Sequence, residues 1–150
     1  MILAIDPGNV QSAYVLKSMY DPEIINKGIL PNEEMLQRII KARVDCVVIE
    51  MIASYGMAVG KSVFDTCLWI GRFWQQAAFF KTPVELVYRK DIKMHLCQSM
   101  RAKDTNIMQA LKDRYGEVGT KKNPGPLYGV SKDIWSALAV ATYYQDTRSK

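Results

Sequence analysis

The chain has 150 residues and a mass of 17.0 kDa, a length that suits one domain over residues 1–150 and does not favour a second independent core. Hydrophobic residues make up 49% of the chain and charged residues 23%, which argues against wholesale disorder. The net charge of +5 points weakly to a polyanionic partner.

The hydrophobic pattern predicts a mixed α/β domain. Short apolar runs that end at turn residues predict strands, and apolar residues at three- and four-residue spacing predict helices. The predicted strands cover residues 2–5, 12–16, 24–30, 45–49 and 84–87. Helices are predicted over residues 62–80, 90–100 and 103–115. Two further helices are predicted to begin near residue 31 and after residue 130, the last with Ser131 as its N-cap. The first two strands form a hairpin, and helical crossovers join the later ones.

The residues available to bind a metal are restricted. The three cysteines show no CxxC spacing, and His95 is the one histidine, so thiolate and histidine-rich metal sites are not indicated. His95 itself is interpreted as a helix-surface or packing residue. Any metal would be held mainly by carboxylates, which favours Mg²⁺ or Mn²⁺.

The N-terminus and the apolar segments indicate a cytoplasmic protein. The chain starts without a basic segment and reaches Asp6 too early for a signal peptide. No apolar run approaches the roughly 18 residues that span a bilayer, so no membrane partner is expected.

Basic residues concentrate in the second half of the chain. Residues 1–80 hold seven Lys and Arg against eight Asp and Glu, whereas residues 81–150 hold thirteen against seven. The excess lies mostly between Arg89 and Lys132. A solvated surface explains such a pattern as readily as a face that contacts phosphates.

Three acidic residues stand at the ends of predicted elements. Asp6 ends the first strand, Glu50 ends the buried central strand, and Asp133 lies in the first turn of the last helix. Strand ends and a packed helix start can meet in an open α/β sheet, and a shared divalent cation would offset the cost of burying the charges. Asp6 could also be a simple turn former and Asp133 a helix-dipole partner. Glu50 is harder to explain structurally, because Glu is seldom buried unpaired.

The segments around these carboxylates resemble, in order, the motifs of the RuvC-type Holliday-junction resolvases, which belong to the RNase H-like nuclease superfamily. Residues 2–9 (ILAIDPGN) resemble the opening strand and turn, residues 47–50 (VVIE) the second acidic strand, and residues 133–141 (DIWSALAVA) the C-terminal acidic helix. The first motif also occurs in actin-like kinases, but the three together are fairly specific and span nearly the whole chain. The short length resembles the phage-encoded branch of the family.

The resemblance implies an RNase H-like mixed five-stranded sheet flanked by helices. It also implies a structure-selective endodeoxyribonuclease that resolves Holliday junctions or other branched DNA in a bacterium or phage-infected cell. Hydrolysis would use two Mg²⁺ ions, or Mn²⁺, and leave 5′-phosphate and 3′-hydroxyl ends. Asp6, Glu50 and Asp133 would be the catalytic metal ligands, with Asp6 bridging the two ions.

One position departs from the family pattern. Ser136 stands where an acidic residue usually precedes the Ala-Leu-Ala stretch. Because residues three apart share a helix face, Ser136 should still point at the site, as a neutral fourth metal ligand or through a water.

The resemblance also implies contacts to DNA and to a second copy of the chain. Tyr55, in the loop after Glu50, is the candidate for an aromatic wedge in the junction, although packing on the sheet edge explains it equally well. The expected homodimer interface is the aromatic-rich helix over residues 62–80, which carries Gly71; a helix buried on both sides is the alternative. The basic residues expected to contact DNA phosphates are Arg89, Lys90, Lys93, Lys103 and Lys132.

Two other functions remain open from the sequence. The first is a non-catalytic junction-binding protein of the same fold, whose carboxylate set has decayed at Ser136. The second is an RNase H-like nuclease that acts on RNA–DNA hybrids, although no residue reports a contact to a 2′-hydroxyl. An actin-like phosphotransferase would need a second domain, for which 150 residues leave no room.

Overall fold

The computed structural model describes residues 1–148 and confirms the α/β architecture that the sequence predicts. Five strands and five helices alternate much as the pattern indicates. The strands are β1 (Ile2–Asp6), β2 (Gln11–Lys17), β3 (Ile24–Pro31), β4 (Cys46–Met51) and β5 (Val84–Tyr88). The helices are α1 (Asn32–Ala42), α2 (Lys61–Phe79), α3 (Arg89–Cys97), α4 (Asp104–Tyr115) and α5 (Ile134–Arg148).

The five strands form one mixed sheet in the order β3-β2-β1-β4-β5. Strands β1, β2 and β3 pair antiparallel, as expected of a meander, whereas β4 pairs parallel to both β1 and β5. In the register, Ile5 lies opposite Ile49, and Glu50 lies opposite Val87. The carboxyl ends of β1, β4 and β5 therefore meet at one edge of the sheet.

Helices cover both faces of the sheet, and the strand residues alternate between two cores. One face packs mainly on α5, whose residues from Ile134 to Thr142 are buried except for Ser136. The other face packs on α1 and α2. Because β4 is covered on both faces, its apolar run is continuous, as the sequence indicates.

The last helix begins later than the sequence predicts. Ser131 is not its N-cap, and Asp133 lies just before α5 rather than in its first turn. The cause is Lys132, whose φ of 49° is incompatible with a right-handed helix. The Asp133 carbonyl accepts the first helical hydrogen bond, from the Ala137 amide at 3.1 Å. Across residues 1–148, the structure contains no helix with the length and apolar character of a membrane span.

Candidate active site at the carboxyl edge of the sheet

Two of the predicted carboxylates are delivered by neighbouring parallel strands. Asp6 is the last residue of β1, and Glu50 is the next-to-last residue of β4. Side chains alternate along a strand, so Asp6 follows Ala4 and Glu50 follows Val48 onto the face that packs on α5. Both acidic groups thus lie at the same edge and on the same face of the sheet.

The third predicted carboxylate approaches that edge from α5. Asp133 is exposed and lines a cleft of about 280 Å³ together with Ser136, Arg89 and Asp104. Ser136 therefore does face the cleft, as the three-residue spacing predicts. The strained backbone at Lys132 sets the direction in which Asp133 enters the site.

The electrostatics of Asp6 show that the carboxylates act on one another. Burial raises the pKa of Asp6 from 3.8 to about 8, and the negative charges of Glu50 and Asp133 contribute to the rise. Burial also raises the pKa of Glu50, and the neighbouring Arg89 offsets part of that effect. In the metal-free protein Asp6 therefore keeps its proton up to about pH 8, mainly because it is buried and in part because Glu50 and Asp133 lie near it.

A bridge through Arg89 is the main feature that the sequence did not reveal. Arg89 is the first residue of α3, and its Nη1 donates a hydrogen bond of 3.2 Å to Oε1 of Glu50. Its Nη2 donates to Oδ1 of Asp104, the first residue of α4. The sequence assigned Arg89 to DNA contacts, whereas the structure places its guanidinium between two carboxylates. The only signal in the sequence was its position directly after β5, at the edge where Asp6 and Glu50 lie.

The donor chemistry of the site fits a hard divalent cation, because carboxylate and hydroxyl oxygens are the ligands that Mg²⁺ and Mn²⁺ prefer. The side chains match such a cation in the type of donor atom and in charge. They do not form a preassembled metal-binding cage. Among residues 1–148, no three His, Cys, Asp or Glu side chains are gathered closely enough to hold a metal ion. A larger cleft of about 460 Å³ between α3 and α4 has a single carboxylate in its lining, Asp113, and reaches no strand end.

No protein-family model and no curated protein matches the chain. Solved structures do match over nearly the full length. Thermus thermophilus RuvC is 17% identical with a TM-score of 0.66, over 97% of this chain and 95% of that one. T. thermophilus RuvC in complex with Holliday junction substrate is 15% identical with a TM-score of 0.69, over 95% and 91% of the two chains. Fowlpox virus resolvase in complex with substrate Holliday junction DNA is 15% identical with a TM-score of 0.56, over 98% and 99%.

The chain has the fold of the RuvC-type resolvases. That fold was expected from the motifs around Asp6, Glu50 and Asp133, and the similarity over the whole chain confirms it. On this RuvC-type fold the three carboxylates lie at the carboxyl edge of β1 and β4 and at the start of α5.

The basic residues predicted to contact DNA surround this edge of the RuvC-type fold. Lys93 lies in α3, near enough to Glu50 for its positive charge to lower the pKa of that carboxyl. Lys103 directly precedes α4 and is exposed, and Lys132 lines the cleft beside Asp133. These residues give the acidic cleft a basic border.

The predicted wedge residue lies on an exposed loop beside a predicted DNA-binding lysine. Tyr55 is 58% exposed, so the alternative of a tyrosine packed on the sheet edge does not describe it. The Nζ of Lys90 lies 6.0 Å from the centre of the Tyr55 ring. The loop bends sharply here, because Tyr55 and Gly56 both have positive φ, 49° and 81°. An aromatic ring and an ammonium group are thus presented together to solvent.

Proposed function

We propose that the chain is a structure-selective endodeoxyribonuclease that resolves four-way or other branched DNA in the cytoplasm of a bacterium or phage-infected cell. The observation that carries this proposal is the placement of Asp6 and Glu50 at the carboxyl ends of neighbouring parallel strands, with Asp133 just before α5, on a RuvC-type fold. Two of the solved structures with this fold are complexes with Holliday junction DNA. The basic border of the acidic cleft supports a polyanionic substrate.

In this proposal, Asp6, Glu50 and Asp133 would hold two Mg²⁺ ions, for which Mn²⁺ could substitute. Divalent cations at such a site neutralise charge on the scissile phosphate and activate water, leaving 5′-phosphate and 3′-hydroxyl ends. Ser136 adds a neutral oxygen from the α5 side of the cleft.

The basic residues position the DNA in this account. Lys93, Lys103 and Lys132 bind backbone phosphates on either side of the cut, since they border the cleft without entering the carboxylate set. Tyr55 stacks on a base at the branch point, and Lys90 beside it pairs with a phosphate. These contacts select branched DNA by shape rather than by sequence.

Two symmetric cuts require two copies of the active site, and α2 offers the surface for a homodimer. Phe64, Leu68 and Gly71 share one face of α2, and Phe64 and Leu68 are more than half exposed. A side chain at Gly71 would meet nothing within 4 Å, so another backbone can approach there. Not every aromatic of α2 belongs to this face, because Phe73 is fully buried against the sheet.

The dimer is tested by changing Leu68→Glu and measuring the mass in solution by sedimentation. Wild type should be a dimer at micromolar concentration and the variant a folded monomer, because Leu68 is 69% exposed and adds little to the monomer core. A monomeric wild type would contradict this part of the proposal.

A non-catalytic junction-binding protein is the second candidate. Two observations favour it: Ser136 supplies no charge to the cleft, and the guanidinium of Arg89 already neutralises Glu50. A single assay separates the two functions.

The assay is nicking of a labelled four-way junction in Mg²⁺, beside linear duplex and an RNA–DNA hybrid. Glu50→Gln keeps the shape of the side chain and removes its charge. The matched control is Glu85→Gln, which changes a partly exposed β5 glutamate that pairs with Arg148 at 3.0 Å. Wild type and the control should cut the junction symmetrically, and Glu50→Gln should bind it without cutting. Tight junction binding with no cutting by wild type in Mg²⁺ or Mn²⁺ would establish the second candidate instead.

A further inference from the structure

The bridge between Glu50, Arg89 and Asp104 joins three elements at the candidate active site. Its inner partner, Glu50, has a side chain that is 15% exposed, and its outer partner, Asp104, one that is 78% exposed. Arg89 lies between them and is 28% exposed. The two Nη groups of one guanidinium thus bind a buried carboxylate of the site and a carboxylate at the rim of the cleft.

The position of the guanidinium conflicts with a divalent cation on Glu50. Arg89 keeps its positive charge at every accessible pH, so it cannot remove the repulsion by losing a proton. Two cations on one buried carboxylate repel each other strongly, because the surroundings screen them less than water does. If Glu50 binds a divalent cation, the guanidinium has to move away from Oε1 or weaken the binding.

Asp104 provides the place to which Arg89 withdraws. It is already in contact with Nη2, and it starts α4 at the exposed side of the same cleft. Arg89 therefore needs only to release Nη1 from Glu50 while its second bond to Asp104 remains. A lysine at position 89 would carry the charge but not this two-armed geometry.

We propose that Arg89 is an exchangeable counter-charge of the active site: it neutralises Glu50 in the metal-free protein, and Asp104 retains it at the rim when a divalent cation takes its place. Asp104 is then a positioning residue that acts through Arg89 and is not itself a ligand. This inference rests on the proposed metal-dependent nuclease and deepens it.

The test is Mn²⁺ binding in the absence of DNA, measured by isothermal titration calorimetry on the full chain. Arg89→Gln removes the competing cation, so Mn²⁺ should bind about tenfold more tightly than to wild type. Asp104→Asn removes the withdrawal site, so Arg89 stays on Glu50 and Mn²⁺ should bind about fivefold more weakly. Arg89→Lys keeps the competing positive charge without the two-armed geometry, so it should bind Mn²⁺ no more tightly than wild type. The control Arg148→Gln breaks the Arg148–Glu85 pair and should leave Mn²⁺ affinity unchanged.

The double variant Arg89→Gln, Asp104→Asn decides whether Asp104 acts through Arg89. The exchange predicts the same Mn²⁺ affinity as Arg89→Gln alone, because the partner of Asp104 is gone. An undiminished fivefold loss in this background would overturn the inference, since Asp104 would then act on the cation directly. Unchanged or weaker binding by Arg89→Gln would also overturn it.

Failure of the underlying site gives a different result. Asp6→Asn should abolish Mn²⁺ binding in every background. If wild type and Arg89→Gln both bind no Mn²⁺, or if Asp6→Asn binds it normally, the proposed metal site is wrong. The proposed exchange of Arg89 for a cation is then wrong as well, because it depends on that site. Circular dichroism in EDTA confirms that each variant is folded, so a loss of binding is not a loss of structure.

Discussion

At the amino end of β1, the buried Lys17 donates hydrogen bonds to the carbonyls of Ser18 and Asp21 and to Oε1 of Gln145, at 2.7–3.2 Å. At the carboxyl end of the same strand, Asp6 is surrounded by further negative charge. The first arrangement supplies the lysine with acceptors from the chain itself. The second buries a carboxylate beside two others with no hydrogen-bond donor paired to it among the described residues, which suits a group that binds a cation.

The pKa values express the same difference. Near Lys17, Asp146 accepts hydrogen bonds from both His95 and Arg114, at 2.6 Å each. Burial alone would raise the pKa of Asp146, but these two partners hold it below its ordinary value. At the other end, burial and like charges raise the pKa of Asp6 to about 8. A charge that the fold has paired is structural, whereas a charge that the fold leaves unbalanced is available for function.

Substitutions at the two ends of β1 should differ most in their effect on junction cleavage. Asp6→Asn should lower the single-turnover rate of junction cleavage by at least about a thousandfold, because the site loses a metal ligand. Junction binding should persist. The matched variant at the other end, Asp146→Asn, should cleave at the wild-type rate at temperatures where it is folded. Cleavage that survives Asp6→Asn, or that is lost with Asp146→Asn, would reverse the assignment of the two ends.

Substitutions at the two ends of β1 should also differ in their effect on the stability of the fold. Lys17→Met removes a buried ammonium group and leaves three part-buried or exposed acceptors without their donor, so the free energy of unfolding should fall by about 2 kcal/mol. Urea denaturation in EDTA measures it. Asp6→Asn should be at least as stable as wild type at pH 8 under the same conditions, because it relieves a buried charge. A Lys17→Met variant as stable as wild type would show that the hydrogen bonds of Lys17 contribute nothing net.

The third difference is a pH dependence between about pH 4 and pH 8, which should come from the Asp6 end. The pKa of Asp6 is about 8 in the folded chain against 3.8 when unperturbed, so the folded state binds this proton more tightly. The stabilisation is complete below about pH 4 and is lost as the pH rises through 8. The metal-free protein should therefore lose stability across this range, and Asp6→Asn should show a flatter profile. Thermal unfolding in EDTA at several pH values measures both, and identical slopes would contradict the raised pKa.

Much of the fold and part of the site could be predicted from the sequence. Apolar runs that end at turn residues located the strands, and carboxylates at two strand ends identified Asp6 and Glu50. The start of α5 was predicted too early. The backbone at Lys132 is left-handed, but the sequence has a lysine there instead of the glycine that usually indicates this conformation. The strand predictions were confirmed because their signal is local, whereas the role of Asp6 and Glu50 as metal ligands stays a prediction.

The features that were missed depend on contacts between distant parts of the chain. Arg89 joins residues 39 and 15 positions away, and no local pattern reports such a bridge. Lys17 looks like an ordinary lysine at the end of a strand, yet its partner Gln145 lies 128 residues away. His95 was interpreted as a helix-surface or packing residue; it does pack on the Tyr143 ring, but its pairing with Asp146 was not predicted. Only the assembled fold shows which charges are paired and which are not.

A crystal structure of the protein grown with Mn²⁺ would show whether the carboxyl edge of the sheet binds a divalent cation. We expect anomalous-scattering peaks at this edge, within coordination distance of Asp6, Glu50 and Asp133, with Arg89 off Glu50 and still on Asp104. A map with no peak at saturating Mn²⁺ and Arg89 still bound to Glu50, or with Mn²⁺ only at the Asp146 end, would contradict it.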